Sequence, residues 1–545
     1  MSTAVRRGPT ITSAKLALSA VTDGSVIALS GFNMAVNPEY LILQLWRSYK
    51  ATGHPRNVFL IAESLPAIPG RALDRVAKEV YNSGDGGLIR GISVPYFGFA
   101  PWLQKLVTEN RLEAYSWPMG AAAYWFREVA SGRPGLISKI GVDTSIDPRY
   151  GGGRLNEMAE KKNTCRVRRL VIDDGDYLIF EAPKPDVAFI RATTSDPVGN
   201  LTMEEEPMRG TVLSIAQATK AHPNPGIVVA QVKKVMRNGF ADPKSVEVPG
   251  PFVDYIVVSP ERYHWQSGSA AFDRRLLVGA PKRAPRPAAP REALPQHEVI
   301  AKRVLLELVE RAKTGGKAVV VNLGIGIPAM ISRLAFDEKL TEYIVTVIES
   351  GLWGGVALTG VDFGIALNPF AVSTMPDMFS NFEGGVIDAA SLGFLQVGEN
   401  GDVNPSMLPG RIYGPGGFPV IAGGSPRIYF AGAFTAGESK LVVKRGELQI
   451  IRDGGTKKFV REVYRSFFSG SQALLFKKQV LYVTERAVFT LTPGGLELTE
   501  VAPGVDIERD VVSKMEFRPR VSPKVVQMDE RIFGGGTMRL ADELR

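Results

Sequence analysis

A chain of 545 residues is too long for one hydrophobic core, so two domains of about 200 to 280 residues each are expected. Hydrophobic residues make up 45% and charged residues 22%, an ordinary globular balance. The formal charge of +9 suits an anionic small ligand, while the absence of a long basic block or zinc-finger spacing argues against nucleic acid.

The N-terminal stretch carries paired arginines, Arg6 and Arg7, and a short apolar segment broken by Lys15. It reads as a first helix rather than a signal peptide. "DGSVIALSGFNMAVNPEYLILQLW" then gives a strand, the turn Gly31-Phe32-Asn33, and a helical pattern opening after Pro38. "NVFLIAES", "DVAFIRAT" and "GIVVAQV" are short apolar strands, and "PWLQKLVTENR" has helical spacing. Cys165, the only cysteine, sits in the basic segment "KKNTCRVRR", which reads as a solvated face. One cysteine allows no internal disulfide, and no apolar run reaches membrane-spanning length, so a cytoplasmic protein is expected. "YHWQSG", from Tyr263, reads as packing at a strand end.

"GAPKRAPRPAAPREALPQH" is rich in Pro and basic residues and has no period. The expected organisation is therefore a first domain over 1–280, a linker over 281–297 and a second domain over 298–545. Past the linker, "IAKRVLLELVERAKT" has helical spacing, and "GGKAVVVNLGIGIPAMISRL" repeats the earlier grammar of strand, glycine turn (Gly324, Gly326) and helix. "DPVGNLTM" and "GENGDVNPS" are matching turns; 168 positions separate Gly31 from Gly199 but 77 separate Gly324 from Gly401, so a repeat requires an insertion in the first half. Alternating strands and helices predict two similar open α/β domains with mainly parallel sheets.

"YIVTVIESGLWGG" places a carboxylate, Glu349, where a strand emerges, followed by Ser350, Gly351, Trp353, Gly354 and Gly355. "GIGIPA" also matches the dinucleotide pattern G-x-G-x-x-A, with Glu349 where an acid would hold a ribose hydroxyl. Pro328 in that turn, and a first half without G-x-G, weigh against a nicotinamide cofactor. The four histidines have no paired spacing, so no metal site is expected. There is no G-x-S-x-G elbow. Glu349 is then either a strand-end surface residue or a nucleophile in its own right. The glycine-rich "GPGGFPVIAGGSP" could offer backbone N–H groups to an oxyanion.

In combination, "ESGLWGGVALTGVDFGIALNP", "GIGIP", "DVNPS", "GPGGFPVIA" and "IYFAGAFTAG" resemble family I CoA-transferases of the fused acetate/propionate type. "GLIRGISVPYFGFAPWLQKLVTENRLEAYSWPMG", "DPRYGGGRLNE", "IRATTSDPVGNLTMEEE", "YHWQ" and "GVDIERDVVSKMEFRP" extend the resemblance over nearly the whole chain. It implies that Glu349 attacks an acyl-CoA and passes through an acyl-glutamyl anhydride and a glutamyl-CoA thioester, with ping-pong kinetics. Coenzyme A is then a substrate, with no permanently bound cofactor, and a small carboxylic acid is the acceptor. The resemblance places oxyanion donors at Gly416 or Gly417 and near Met119-Gly120. It places substrate contacts at Gly31, Phe32, Asn33, Gly324, Gly326, Ser350, Gly351, Trp353, Gly354 and Gly355, and implies a homodimer or homotetramer without membrane attachment. Two departures stand out: Pro118-Met119-Gly120 where the family usually reads Pro-Gln-Gly, and Trp353 where a smaller residue is commoner. Met donates no hydrogen bond, which keeps open an acyl-CoA hydrolase, a carbon–carbon lyase or a non-catalytic acyl-CoA-binding protein.

Overall fold

The computed structural model describes residues 8–279 and 294–544. It divides into two compact units, Met1–Val278 with Val372–Met378 and Gly410–Gly417, and Gly279–Ala371 with Phe379–Pro409 and Phe418–Arg545. Halves of the chain and units of the fold therefore do not coincide. The expected linker falls mostly on 280–293, outside the described residues, but its last three positions do not behave as linker. Pro295 opens a helix over Pro295–Gly315, because a proline in a first turn loses no intrahelical hydrogen bond.

In the first unit eight strands run in the order Thr10–Ile11, Tyr255–Val258, Ile227–Val235, Val187–Ser195, Val26–Leu29, Val58–Ala62, Ile89–Ser93 and Glu113–Tyr115. Every pair along this path is parallel. A sheet covered on both faces selects continuous apolar runs rather than alternation; "VIAL" and "VFLIA" are buried at every position. The helix Glu39–Thr52 starts after Pro38 and stops at Gly53, whose φ of 74° closes the last turn.

The second unit is again built on an open sheet with parallel strands at its centre. Its central parallel strands are Ile344–Ile348, Val319–Leu323, Ala389–Leu392, Arg427–Ala431 and Gln479–Val483, with antiparallel strands added beside them. The strand orders differ: Val319–Leu323 lies between Ile344–Ile348 and Ala389–Leu392, the next two parallel strands in the chain, whereas in the first unit Val26–Leu29 lies between Val58–Ala62 and Val187–Ser195, and Ile89–Ser93 follows beside Val58–Ala62. The matching turns are both antiparallel hairpins, pairing Ser195 with Leu201 and Val397 with Val403. The insertion anticipated in the first half includes the three-stranded sheet of Leu136–Ser138, Gly175–Glu181 and Arg166–Ile172.

Cys165 is buried, not on a solvated face, and burial pushes its thiol well above the usual range. In the strand that follows it, Arg166–Ile172, Val167 is buried and the neighbouring arginines are exposed, so the basic composition describes only one side. Among the described residues no helix is long and apolar enough to cross a membrane, and no group of three His, Cys, Asp or Glu side chains could hold a metal ion.

Candidate active site

Glu349 leaves the C-terminal end of the strand Ile344–Ile348. The chain turns back at once, with Val347 opposite Trp353 and Ile348 opposite Leu352, so Glu349, Ser350 and Gly351 form the tip of a hairpin. Gly351 takes a φ of 111° and donates its N–H to the Ile348 carbonyl at 2.9 Å. Gly354 donates to Thr346 at 2.7 Å. A Cβ on Gly354 would stand 2.3 Å from the Phe370 ring, and one on Gly355 2.3 Å from the Leu367 carbonyl. With φ near 70° at both, only glycine fits. The Ser350 hydroxyl is buried and donates to the Gly364 carbonyl at 2.5 Å, so it fixes the hairpin tip.

That frame holds a carboxylate that is 8% exposed. Among the described residues no donor and no cation pairs with it. Burial alone raises the Glu349 pKa from 4.5 to about 7, since removing water penalises the charged form. Glu349 is thus not the freely ionised surface residue that its position in the sequence allows. At pH 7 about half of it is ionised. On the adjacent strand Gly324 donates to Ser391 at 2.9 Å, and Gly326, at φ 84°, precedes the helix Ile327–Asp337.

In the first unit the Met119 N–H donates to the Gly416 carbonyl at 2.8 Å, and the Gly416 N–H donates to Pro95 at 2.9 Å. Gly416 has therefore already spent its donor, whereas no described acceptor takes the Gly417 N–H. Met119 and Gly120 are buried at the start of the helix Met119–Ala130. The Gly31, Phe32 and Asn33 amides are also engaged, by Glu63 at 3.3 Å, Ala35 at 3.0 Å and Leu65 at 2.8 Å. A ligand at this turn would meet carbonyls and side chains rather than free N–H groups. Behind it the fully buried Arg191 clamps Glu206 at 2.8 and 2.5 Å and the carbonyls of Met34, Asn37 and Trp265. "YHWQ" is packing, as expected: His264 hydrogen-bonds Ser259 at 2.7 Å, and burial lowers its pKa to about 3, so it is neutral.

Glu63 is a further buried acid that the motifs did not single out, although its signal is visible in the sequence. "FLIAES" and "VTVIES" each run from the C-terminal end of a parallel strand into Glu-Ser. Glu63 is fully buried, its Oε2 has no partner, and burial raises its pKa from 4.5 to about 8. A raised folded-state pKa means that stability falls as pH rises from about 4.5 to about 8. Glu63→Gln removes that fall. It is expected to melt higher than wild type at pH 9, by roughly 2 kcal/mol after allowing for an unsatisfied amide. At pH 5 the gain disappears; thermal melts at the two pH values check it.

The sequence profile described as Coenzyme A transferase matches residues 11–259. The chain is 35% identical over 533 residues to the acetate CoA-transferase YdiF of Escherichia coli (strain K12), covering 96% of this chain and 95% of that protein. It is 33% identical over 528 residues to the caffeate CoA-transferase of Acetobacterium woodii, covering 96% and 97%. The crystal structure of the acyl-CoA transferase YdiF from E. coli O157:H7, a thioester complex with CoA, superposes with a TM-score of 0.86 at 34% identity over 98% of both chains.

Proposed function

The chain belongs to the coenzyme A transferase family, and we propose that it moves CoA from a short-chain acyl-CoA to a carboxylic acid by covalent catalysis on Glu349. The observation that carries this reading is the buried, unpaired Glu349 carboxylate on a glycine hairpin at the C-terminal end of a parallel strand. That edge of an open α/β sheet is where ligands bind. The thioester complex of the E. coli relative supports the same chemistry.

In this mechanism a Glu349 oxygen attacks the thioester carbonyl and expels CoA thiolate, leaving an acyl-glutamyl anhydride. The thiolate then attacks the glutamyl carbonyl, which forms a glutamyl-CoA thioester and releases the first acid as its carboxylate. A second carboxylate attacks that thioester, and the returning thiolate regenerates Glu349 as the new acyl-CoA leaves. One thioester is exchanged for another, so neither ATP nor a metal is consumed. In the turn that the resemblance makes an oxyanion site, the Gly416 N–H is already engaged and the Gly417 N–H is not, and Met119 offers no side-chain donor.

The test is mass spectrometry of the intact protein and its peptides after incubation with acetyl-, propionyl- and acetoacetyl-CoA. The expected result is a CoA adduct on the peptide carrying Glu349, removed by added carboxylate and absent from Glu349→Ala. Free thiol released without any acceptor acid, and no adduct, would instead indicate the hydrolase or lyase that the missing donor at Met119 allows.

A further inference from the structure

Around Glu349 the second unit leaves large apolar side chains uncovered. Ile325 is 41% exposed, Phe370 is 65% exposed and Trp353 is partly exposed. Strand pairing brings all three to the nucleophile. Trp353 is opposite Val347; paired residues share a face, and alternation carries that face on to Glu349. Trp353 thus stands one diagonal step from Glu349, roughly 7 to 8 Å away and within reach of an aromatic side chain. Gly351, across the hairpin tip from Glu349, carries no side chain to separate them. On the other side Asn322 is level with Val347, so Gly324 comes level with Glu349 and Ile325 follows it. Phe370 donates its N–H to the Trp353 carbonyl at 2.9 Å, and its ring lies against Gly354.

Single exposed apolar residues are ordinary, but three around one buried carboxylate are not. Burial alone shifts the Glu349 pKa, so no charged side chain among the described residues acts on it. An acyl group arriving at Glu349 therefore meets apolar surface and no counter-ion. An acetyl methyl ends short of these side chains, whereas a butanoyl chain reaches them. A terminal carboxylate would be desolvated there without a cation, which opposes its binding.

We propose that Trp353, flanked by Ile325 and Phe370, forms the wall of the acyl subsite at Glu349 and selects uncharged acyl groups of butanoyl size over acetyl and over dicarboxylic groups. This rests on Glu349 as nucleophile and narrows the short-chain substrate to one with an apolar end. Trp353 is the main wall because it stands in the hairpin itself, on the Glu349 side. In the acyl-glutamyl anhydride the alkyl chain lies along this wall, so its burial is kept through the reaction and discriminates between acyl groups.

The test compares kcat/KM of the full-length protein for acetyl-, butanoyl- and butanedioyl-CoA, with propanoate as the common acceptor. In wild type, butanoyl-CoA is expected to exceed acetyl-CoA by about 10-fold or more and butanedioyl-CoA by about 100-fold or more. In Trp353→Ala the butanoyl-to-acetyl ratio should fall about tenfold. Ile325→Lys puts an ammonium at an exposed position beside the site, and should raise the butanedioyl-to-butanoyl ratio about tenfold. A wild-type preference for acetyl- or butanedioyl-CoA overturns the proposal. So does a ratio left unchanged in either folded variant, including equal losses for all three acyl groups, which would mark packing or a face between copies of the chain. If Trp353→Ala does not fold, the Ile325→Lys ratio decides. Equilibrium binding of the same three acyl-CoAs to Glu349→Gln, which has no nucleophile, should follow the same order. That order kept, with no Glu349 adduct in wild type, removes the nucleophile and leaves the subsite; an adduct with the order reversed removes the subsite alone.

Discussion

Glu349→Gln is expected to lower kcat for CoA transfer by about 10⁴ to 10⁶, the scale on which removal of a nucleophile acts, while leaving CoA binding within a few-fold. An amide of the same shape keeps the hairpin, whose geometry is set by Ser350, Gly351, Gly354 and Gly355 rather than by the Glu349 side chain. The same variant should be more stable. In the unfolded chain this acid ionises near 4.5, in the folded protein near 7. Between those values the unfolded state binds fewer protons, so wild-type stability falls as pH rises, by about 3 kcal/mol in all above pH 7. The glutamine does not titrate, so the gain is present at pH 8 and gone at pH 4. Wild-type turnover should follow the ionised fraction and drop about tenfold per unit below pH 6. Loss of activity together with a pH-dependent gain in melting temperature identifies a nucleophile held in an environment that opposes its own charge. A structural glutamate would lose stability with its activity.

The parallel sheets were legible because fully buried strands need unbroken apolar runs, and "VFLIA" and "IVTVI" are such runs. Glu349 was legible because glycines at 351, 354 and 355 allow a tight hairpin behind it. Its pKa was not, since desolvation depends on what packs over the side chain. The choice between Gly416 and Gly417 turns on one hydrogen bond to Pro95, a residue far upstream that no local pattern links to the turn. Cys165 misled because its charged neighbours point outward while it points in.

Met119→Gln is expected to raise kcat by about 10² to 10³, the usual value of one oxyanion donor. Met119 is buried at the first position of its helix, with its backbone held by Gly416 at 2.8 Å. Glutamine has nearly the same length and volume, so the side chain can be exchanged without moving the helix. On the proposed reading, wild type lacks a side-chain donor at this position, which predicts slow turnover. If the added amide meets the developing charge, the gain appears in kcat with KM for acyl-CoA nearly unchanged, because the donor acts on the transition state and not on the bound thioester. The glutamyl-CoA adduct should then form faster in single-turnover mass spectrometry. An unchanged rate with a folded protein would mean that another group already serves the oxyanion. A burial cost without a partner would show as a lower melting temperature, by about 1 to 3 kcal/mol. A rate gain therefore locates the missing donor at this position, and its absence shows that the methionine stands where the chemistry has been rearranged.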